Sequence, residues 1–445
     1  MTETPNYDER FDAIVVGAGP AGSSAALTMA REGLDVIMIE RGSYPGAKNV
    51  FGGVLFTPTI RELVGEDLDD APFERYVSEK KFSLLSEQDE TALTLRPGAW
   101  HEEPHNDSFT VLRGDFDEWF ADQAVEEGAT LITETTVTDL IREGGDGKVI
   151  GVETDRPDGR LKAPIVVLAE GGNSLVSEGA GLKETADADE VAVAAKEVRK
   201  YDRDTIEERF NLYEDDGVAY HYFGEGACGD AVGGGYIYTN KRTLSIGVAY
   251  SIEDARNNPR TPDEILNDFK QHPAVAPLVR DGRLIEYSAK AIPEGGADAV
   301  PDLVHDGAVL VGDTAGLVLN NGIHLEGTNM AVESGYWAGK AVADAIDRGR
   351  TDRAALQPYA DNLEDSFVMQ NLEHYNWFQD FAESEREFLF TELPRALTEA
   401  ELEYFKMDRE PKKKHVKRAK RTMIEAAGGW TGVAKKAWKY RKLLS

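Results

Sequence analysis

Phe11–Gly22 reads FDAIVVGAGPAG, and its two halves ask for different backbones. The apolar run Phe11–Val16 suits a buried strand. Gly17, Gly19 and Gly22 then follow in the spacing G-x-G-x-x-G, ahead of a helical stretch that runs to about Arg31 and stops at Gly33. A second strand is expected at Asp35–Ile39, with Glu40 at its end. In such a β-α-β unit Gly17 permits the tight turn, Gly19 lets the backbone approach a pyrophosphate as Pro20 and Ala21 open the helix, and Gly22 lets helix and strand pack closely. The first helix amides face the negative charge. Glu40, 18 residues after Gly22, is placed to accept hydrogen bonds from adenosine ribose hydroxyls. Any one of these glycines could mark an ordinary turn; their spacing, flanking strands and acid together point to a dinucleotide site.

Outward from this unit the pattern alternates. Phe116, Trp119, Phe120 and Ala124 recur at helical spacing between Asp115 and Glu127, and Gly128 stops that helix before a strand at Thr130–Ile132. Val137–Ile141, Val149–Thr154 and Ile165–Ala169, separated by Gly-rich turns, are expected to form a β-meander. Val191–Ile292 is rich in Tyr, Val, Phe and Gly, with strand-like runs and a helix near Pro262–Gln271, which suggests a second, sheet-based domain. Ala308–Val311 returns to a buried strand, and Gly327–Arg348 is a long helix closed by Gly349. The expectation is an α/β protein whose Rossmann-like first domain is discontinuous (1–80, 111–187, 301–350). An antiparallel-sheet domain would be inserted (81–110, 188–300), followed by a helical C-terminal region (351–410) and a basic tail (411–445).

Composition excludes several classes. The chain has 445 residues, 81 Asp+Glu against 49 Lys+Arg, and one cysteine, Cys228. One thiol forms no intrachain disulfide and holds no iron–sulfur or zinc–thiolate centre, so no metal is expected on this chain. No basic n-region and apolar h-region open the sequence, which points to the cytoplasm. Ala13–Ala30 is charge-free, but its glycines and Pro20 break it as a membrane span. Pro411–Ser445 carries 12 Lys+Arg and one acid, leaving 37 basic against 80 acidic residues before it. The acidic body resembles that of proteins from salt-loving cells; ordinary acidic solubility is the alternative. In the tail, Trp430, Val433, Ala434, Ala437, Trp438 and Leu444 share one helical face while Lys435, Lys436, Lys439 and Lys442 fall largely elsewhere. Such a helix suits an anionic membrane surface, or an acidic partner, or the protein's own acidic body. Nucleic acid is rejected, because the body would repel it. His101-Glu102-Glu103-Pro104-His105 matches H-E-x-x-H only formally, since Pro104 breaks the helix that motif needs.

Two further segments narrow the dinucleotide. Ala308–Gly316 reads AVLVGDTAG and Ile165–Asn173 reads IVVLAEGGN. Both resemble FAD-binding motifs of the aromatic hydroxylase and glutathione reductase structural groups. That resemblance implies that Asp313, between Gly312 and Gly316, binds a ribityl hydroxyl and that Arg113 lies near the pyrophosphate. It also places Glu170, where the pattern usually has Asp, and Gly171 beside the cofactor. Gly327-Thr328-Asn329 resembles the turn whose backbone amides approach the flavin pyrimidine edge, where a helix N-terminus stabilises negative charge. Arg41 and Val137 complete the implied set, with Asn49 and Gly53 from Tyr44–Phe56, YPGAKNVFGGVLF. This segment is expected to run along the flavin as neither plain helix nor plain strand.

With IPEGG at Ile292–Gly296, GDTAGLVLNNG at Gly312–Gly322 and SFVMQNL at Ser366–Leu372, that segment makes the chain similar to the electron-transfer-flavoprotein:quinone oxidoreductase family. The nearer branch is the Fix-type (FixC-like) flavoprotein subunit, within the wider geranylgeranyl reductase and aromatic hydroxylase-like FAD superfamily. The resemblance implies FAD as cofactor, electrons arriving from a two-subunit electron-transfer flavoprotein in complexes that bifurcate electrons from NADH, and a membrane quinone as acceptor. It also implies a separate small ferredoxin-like iron–sulfur subunit, consistent with the single cysteine, and a peripheral position on the cytoplasmic face of the membrane. Quinone reduction needs a proton donor. His324, Glu326, Glu294, His221 and Tyr222 are candidates, each set against a core or surface role. Gly295 and Gly296 are expected, by resemblance, to admit a flat ring. A geranylgeranyl-reductase-type enzyme that saturates isoprenoid double bonds is the alternative activity, and a non-catalytic FAD-stabilised scaffold is a third reading.

Overall fold

A computed structural model describes residues 9–49, 52–145, 147–157 and 159–441. Its first layer is a six-stranded sheet in the order β18 (Val304–His305), β19 (Ala308–Leu310), β12 (Ile165–Leu168), β2 (Ala13–Val16), β3 (Val36–Ile39), β8 (Thr130–Ile132). All neighbours are parallel except β18 and β19. The runs AIVV, VIMI and IVVL are buried along their whole length, as required of strands covered on both faces. Helix α1 (Pro20–Arg31) follows β2, and α2 (Arg113–Glu126) packs on it. The long helix α5 (Thr328–Asp347) lies against α1.

The meander is shorter than expected. β9 (Val137–Arg142), β10 (Val149–Thr154) and β11 (Arg160–Lys162) pair antiparallel and take β1 (Glu9–Arg10) at their edge. Ile165–Leu168 leaves them and inserts between β2 and β19. Its four apolar residues need cover on both faces, which only the parallel sheet offers.

The second layer is a nine-stranded sheet. Its order is β17 (Arg283–Pro293), β13 (Val191–Lys200), β16 (Thr243–Ser251), β15 (Gly233–Thr239), β14 (Asp216–Phe223), β5 (Phe73–Leu85), β7 (Ser108–Leu112), β4 (Gly52–Phe56). β6 (Glu90–Leu95) also pairs with β5, and because β5 runs parallel to β14 the sheet is mixed where an antiparallel one was expected. β5 runs through residue 80, and Gly52–Phe56 forms an edge strand on β7. The second half of YPGAKNVFGGVLF is therefore a strand, its glycines notwithstanding, because main-chain pairing such as Gly53 with Val111 holds it.

Successive residues of a strand face opposite sides. Ala195, Tyr222, Ile237, Ile246 and Val248 join helix α4 (Pro262–Gln271) in a core behind the sheet. Ala194, Lys196, His221, Tyr236 and Ala249 face a cavity on the other side. A short hairpin, β20 (Leu319–Asn320) and β21 (Leu325–Glu326), borders that cavity.

α1 and α5 approach so closely that small residues are obligatory. A Cβ on Gly335 would stand 2.2 Å from the Ala21 carbonyl oxygen, and one on Gly339 2.7 Å from Thr28 Cβ. Ser24 Oγ donates to the Val332 carbonyl at 2.6 Å across the same seam. Gly335→Ala is expected to lower stability toward urea by about 1–3 kcal/mol, the usual range for overpacking. Gly179→Ala, whose methyl meets nothing within 4 Å, should stay within about 0.5 kcal/mol in the same titration.

Candidate active site

The cavity lies where the carboxyl ends of β2, β3 and β12 meet the inner face of the large sheet. Ligands of open α/β sheets bind at such strand ends. Gly17 turns with φ +98°, and a Cβ there would lie 2.3 Å from the Ala169 carbonyl oxygen. A Cβ on Gly22 would meet the Gly17 carbonyl oxygen at 1.9 Å. These two glycines are packing glycines. Gly19 differs: nothing lies within 4 Å of its Cβ position, and it opens onto the cavity as the residue before α1. Glu40 stands beside it, accepting from Ala18 N–H at 3.2 Å and Gly42 N–H at 2.6 Å.

Pro20, Ala21, Arg41, Asn49, Val137, Gly171, Gly327, Thr328 and Asn329 also line the cavity. Gly53, Gly312 and Gly316 do not. Gly53 sits in β4, Gly312 packs toward Ala21 and Ala331, and Gly316 closes the turn after Asp313 with φ +72°. Glu170 lines the cavity, but both its oxygens are engaged elsewhere. Val176 and Ser177 N–H donate to them at 2.8 and 2.9 Å, so the carboxylate serves the start of the short helix α3 (Leu175–Gly179).

Asp313 faces the cavity among three cations. Burial raises its carboxyl above the ordinary range, while Arg113, Lys290 and Lys196 oppose that rise. Arg113 is held by two bonds to Asp117, at 2.7 and 2.9 Å, and donates to Thr328 Oγ1 at 3.3 Å. Lys290 donates to Asn49 Oδ1 at 3.1 Å. Lys196 is pushed down to about 7 by burial, with Lys290 and Arg113 adding to the effect.

Lys80, Lys196 and Lys290 were not among the residues singled out from the sequence. The available signal was a lysine inside an apolar strand, VAVAAKEV, in a body otherwise poor in lysine. Sheet pairing sets Lys196 opposite Ser288 and Ala194 opposite Lys290, so the two lysines are diagonal neighbours on one face.

Among the donor candidates, His324, Glu326, Glu294 and His221 all line the cavity. Tyr222 does not: it points to the opposite face of β14 and packs edge-on against Phe269 at 5.2 Å. His221 is buried and pushed down to about 3, by burial first and by Lys80 and His324 after it. Glu326 accepts from Asn329 Nδ2 at 2.8 Å. Gly295 and Gly296 do not line the cavity, and their Cβ positions meet Ala299 at 2.3 Å and Asn376 Oδ1 at 2.6 Å. His101 ends one short 3₁₀ turn and His105 begins another, with Glu102–Pro104 between them in neither. His101 bonds Asp216 and His105 stacks on Tyr76, so they are not aimed at a common point.

This donor set fits FAD. An open glycine at a helix start, a carboxylate at the second strand end, and a carboxylate among cations match a pyrophosphate, a ribose and a polyol chain. The first amides of α5, which have no side-chain cap, are free for a flavin edge. Residues 10–371 match the family model described as an FAD binding domain. A geranylgeranyl bacteriochlorophyll reductase-like protein from Thermoplasma acidophilum superposes with a TM-score of 0.68 at 21% identity, covering 97% of this chain and 99% of that one. At that identity the likeness shows the fold.

Gly19→Val should yield colourless protein whose urea midpoint matches that of the wild-type apoprotein, since the new side chain enters only the cavity. Glu40→Gln should weaken FAD by about tenfold in a fluorescence titration, the loss of a charge-assisted hydrogen bond.

Residues 378–444 match the model described as the ETF-QO/FixC family C-terminal domain. Protein FixC of Azorhizobium caulinodans is 40% identical over 436 residues, 98% of this chain and 99% of that protein. A probable electron transfer flavoprotein-quinone oxidoreductase of Escherichia coli is 40% identical over 408 residues, 91% of this chain and 92% of that protein. The chain therefore belongs to the ETF-QO/FixC family and is an FAD-dependent oxidoreductase of electron transfer.

Proposed function

We propose that the chain receives electrons from a reduced electron-transfer flavoprotein and passes them to a membrane quinone. It would work as the flavin subunit of an assembly with two electron-transfer flavoprotein subunits and a small ferredoxin-like iron–sulfur subunit. The observation that carries this reading is the continuity of one cavity, from Gly19 past Lys196 and Lys290 to the hairpin β20–β21. The tip of that hairpin is open and exposes two apolar side chains, Ile323 and Leu325, at 57% and 42%. A dinucleotide end and an apolar mouth suit a cofactor meeting a lipid-soluble acceptor.

When bound, FAD supplies the one- and two-electron chemistry. The protein's own residues bind, orient and exclude water. Gly19 and the start of α1 receive the pyrophosphate, Glu40 orients the ribose, and Asp313 with Arg113 holds the ribityl chain. Arg113 and Lys290 keep that side of the cavity positive, and Lys196, pushed down to about 7, adds charge as the pH falls. Cys228 is buried and its thiol is pushed up to about 12 by burial, which suits a structural residue and a cluster housed on another subunit.

The C-terminal helices support a peripheral membrane position. No described helix is long and apolar enough to cross a membrane. Helix α10 (Lys412–Ala426) exposes Lys412, Lys413, Lys414, Lys417, Lys420 and Arg421. Its His415 is enclosed by Glu403 and Asp408, at 2.7 and 3.0 Å, with Arg418 alongside. That cluster ties α10 to α9 (Leu393–Phe405) by ion pairing. Helix α11 (Gly429–Lys439) docks through its lysines: Lys436 and Lys439 both pair with Glu385. Burial alone would raise the Glu385 carboxyl, but hydrogen bonds from Lys436, Lys439 and Tyr440 pull it down to about 2. Trp430 and Trp438 are left 73% and 66% exposed, and Leu444 and Lys442 lie outside the described residues.

In anaerobic mixing, reduced electron-transfer flavoprotein should bleach the flavin of this protein, and a ubiquinone analogue should restore it. Loss of prenyl double bonds instead would favour the geranylgeranyl-reductase reading, and a flavin that never turns over would favour a scaffold. Replacing Trp430 and Trp438 by Ser should weaken co-sedimentation with anionic liposomes more than about tenfold, since each buried aromatic contributes about 1.5–3 kcal/mol. Unchanged binding would remove the tail from the membrane contact.

A further inference from the structure

We propose that Glu294, fastened by Asn320 in the cavity wall, is the proton donor to the acceptor reduced there; the inference rests on the quinone reading above. Glu294 follows β17, and its backbone N–H donates to the Glu190 carbonyl at 2.7 Å. Its side chain joins the wall shared with hairpin β20–β21. Asn320 Nδ2 donates to Glu294 Oε1 at 3.0 Å. The amide of Asn320 is itself oriented, because its Oδ1 accepts from Gly322 N–H at 2.9 Å. One carboxyl oxygen is thus fixed as an acceptor, and the other is left to carry a proton into the cavity.

The surroundings keep that proton in place. Val318, Leu319, Ile292 and Ile323 line the same wall, and burial pushes Glu294 up to about 7, opposed only by the Asn320 bond. The titratable groups on neighbouring elements are Glu190 just before β13, Asp298 in the turn that follows, His324 and Glu326 on the hairpin, and Glu373, His374 and Tyr375 on the helix Phe367–Tyr375 that packs against β20. Lys80 and His221 lie across the cavity. None of them pairs with Glu294. The other donor candidates fit less well: His221 is pushed down to about 3 and is neutral at pH 7, Glu326 has both oxygens occupied, Oε2 by Asn329 Nδ2 and Oε1 by His324 Nδ1 at 3.8 Å, and His324 stands exposed at the mouth.

The quinone gains two electrons from the reduced flavin and two protons, becoming a quinol, while the flavin is oxidised and its own N–H proton passes to solvent. One proton leaves Glu294 Oε2 for a quinone oxygen as that O–H bond forms, and the second comes from water at the mouth. Glu294, now a carboxylate, is reprotonated from solvent.

The test is single-turnover reoxidation of the photoreduced holoprotein by a short-chain ubiquinone and, separately, by ferricyanide, which takes electrons without protons. In Glu294→Gln the ratio of the quinone rate to the ferricyanide rate should fall about 100-fold or more at pH 6. The wild-type ratio should decline as pH rises through about 7, while that of the variant stays flat. An unchanged ratio and pH profile in Glu294→Gln would overturn the proposal. A wild type that reduces ferricyanide but no quinone would overturn the quinone reading and this proposal with it.

A second measurement needs no acceptor. A carboxyl raised in the folded state costs stability as pH climbs from its ordinary value to about 7 and keeps that cost above it. Glu294→Gln should therefore raise the urea midpoint at pH 8 and leave it unchanged near pH 4.5. Equal midpoints at both pH values would mean that no neutral carboxyl is held there.

Discussion

The contact between Gly17 and the Ala169 carbonyl sets the geometry on which the rest depends. A side chain at Gly17 would have to occupy space 2.3 Å from that oxygen, so the turn after β2 and the end of β12 can meet only if residue 17 has none. Ala169 N–H also donates to the Val16 carbonyl at 2.9 Å, which fastens the two strand ends together. Bringing them together puts Gly19, Glu40 and the Asp313 turn around one opening. The glycines of α5 then let α1 lie flat against it, fixing where the amides of both helices point. The cofactor site is thus a consequence of three close backbone approaches, each of which a methyl group would prevent.

The large sheet supplies what the parallel sheet lacks. Its rear face is an apolar core, and the pleat sends every second side chain to the cavity instead. A buried lysine is unfavourable on its own, yet Lys196 and Lys290 stand together on that face with Arg113 nearby and Asp313 partly compensating. Such a wall favours negative charge arriving in the cavity, whether on a phosphate or on a reduced flavin. The tuning of this site therefore lies in the sheet domain as much as in the dinucleotide fold.

Local signals were legible in the sequence and pairing-dependent ones were not. The turn at Gly17–Gly22, Glu40, Asp313 and the start of α5 are each written within a few consecutive residues. The helices at Pro262–Gln271 and Thr328–Asp347 were equally readable from their periodicity and end signals. The wall lysines come from three strands far apart in the chain, and only the register places them on one face. The third strand of the expected meander, Ile165–Ala169, was misplaced because an apolar run of four residues pairs equally well with a hairpin or a parallel neighbour. The surroundings of Gly295 and Gly296 could not be read either, since they are set by Ala299 and by Asn376, which follows a helix distant in the chain.

Charge separation between body and tail has a structural outcome that composition alone leaves open. The tail meets an acidic body, and part of its basic charge is spent on that body through Glu385, Glu403 and Glu410. Because Lys436 and Lys439 turn inward to Glu385, the helix that carries them must turn Trp430 and Trp438 outward, at positions i and i+8 of the same face. Short ion pairs of this kind survive in concentrated salt, where the Debye length shrinks to about 3 Å and long-range attraction is lost. A tail held in this way presents an apolar edge at any ionic strength. The docking pairs and the exposed tryptophans are thus two sides of one arrangement, and the acid at position 385 fixes which side faces out.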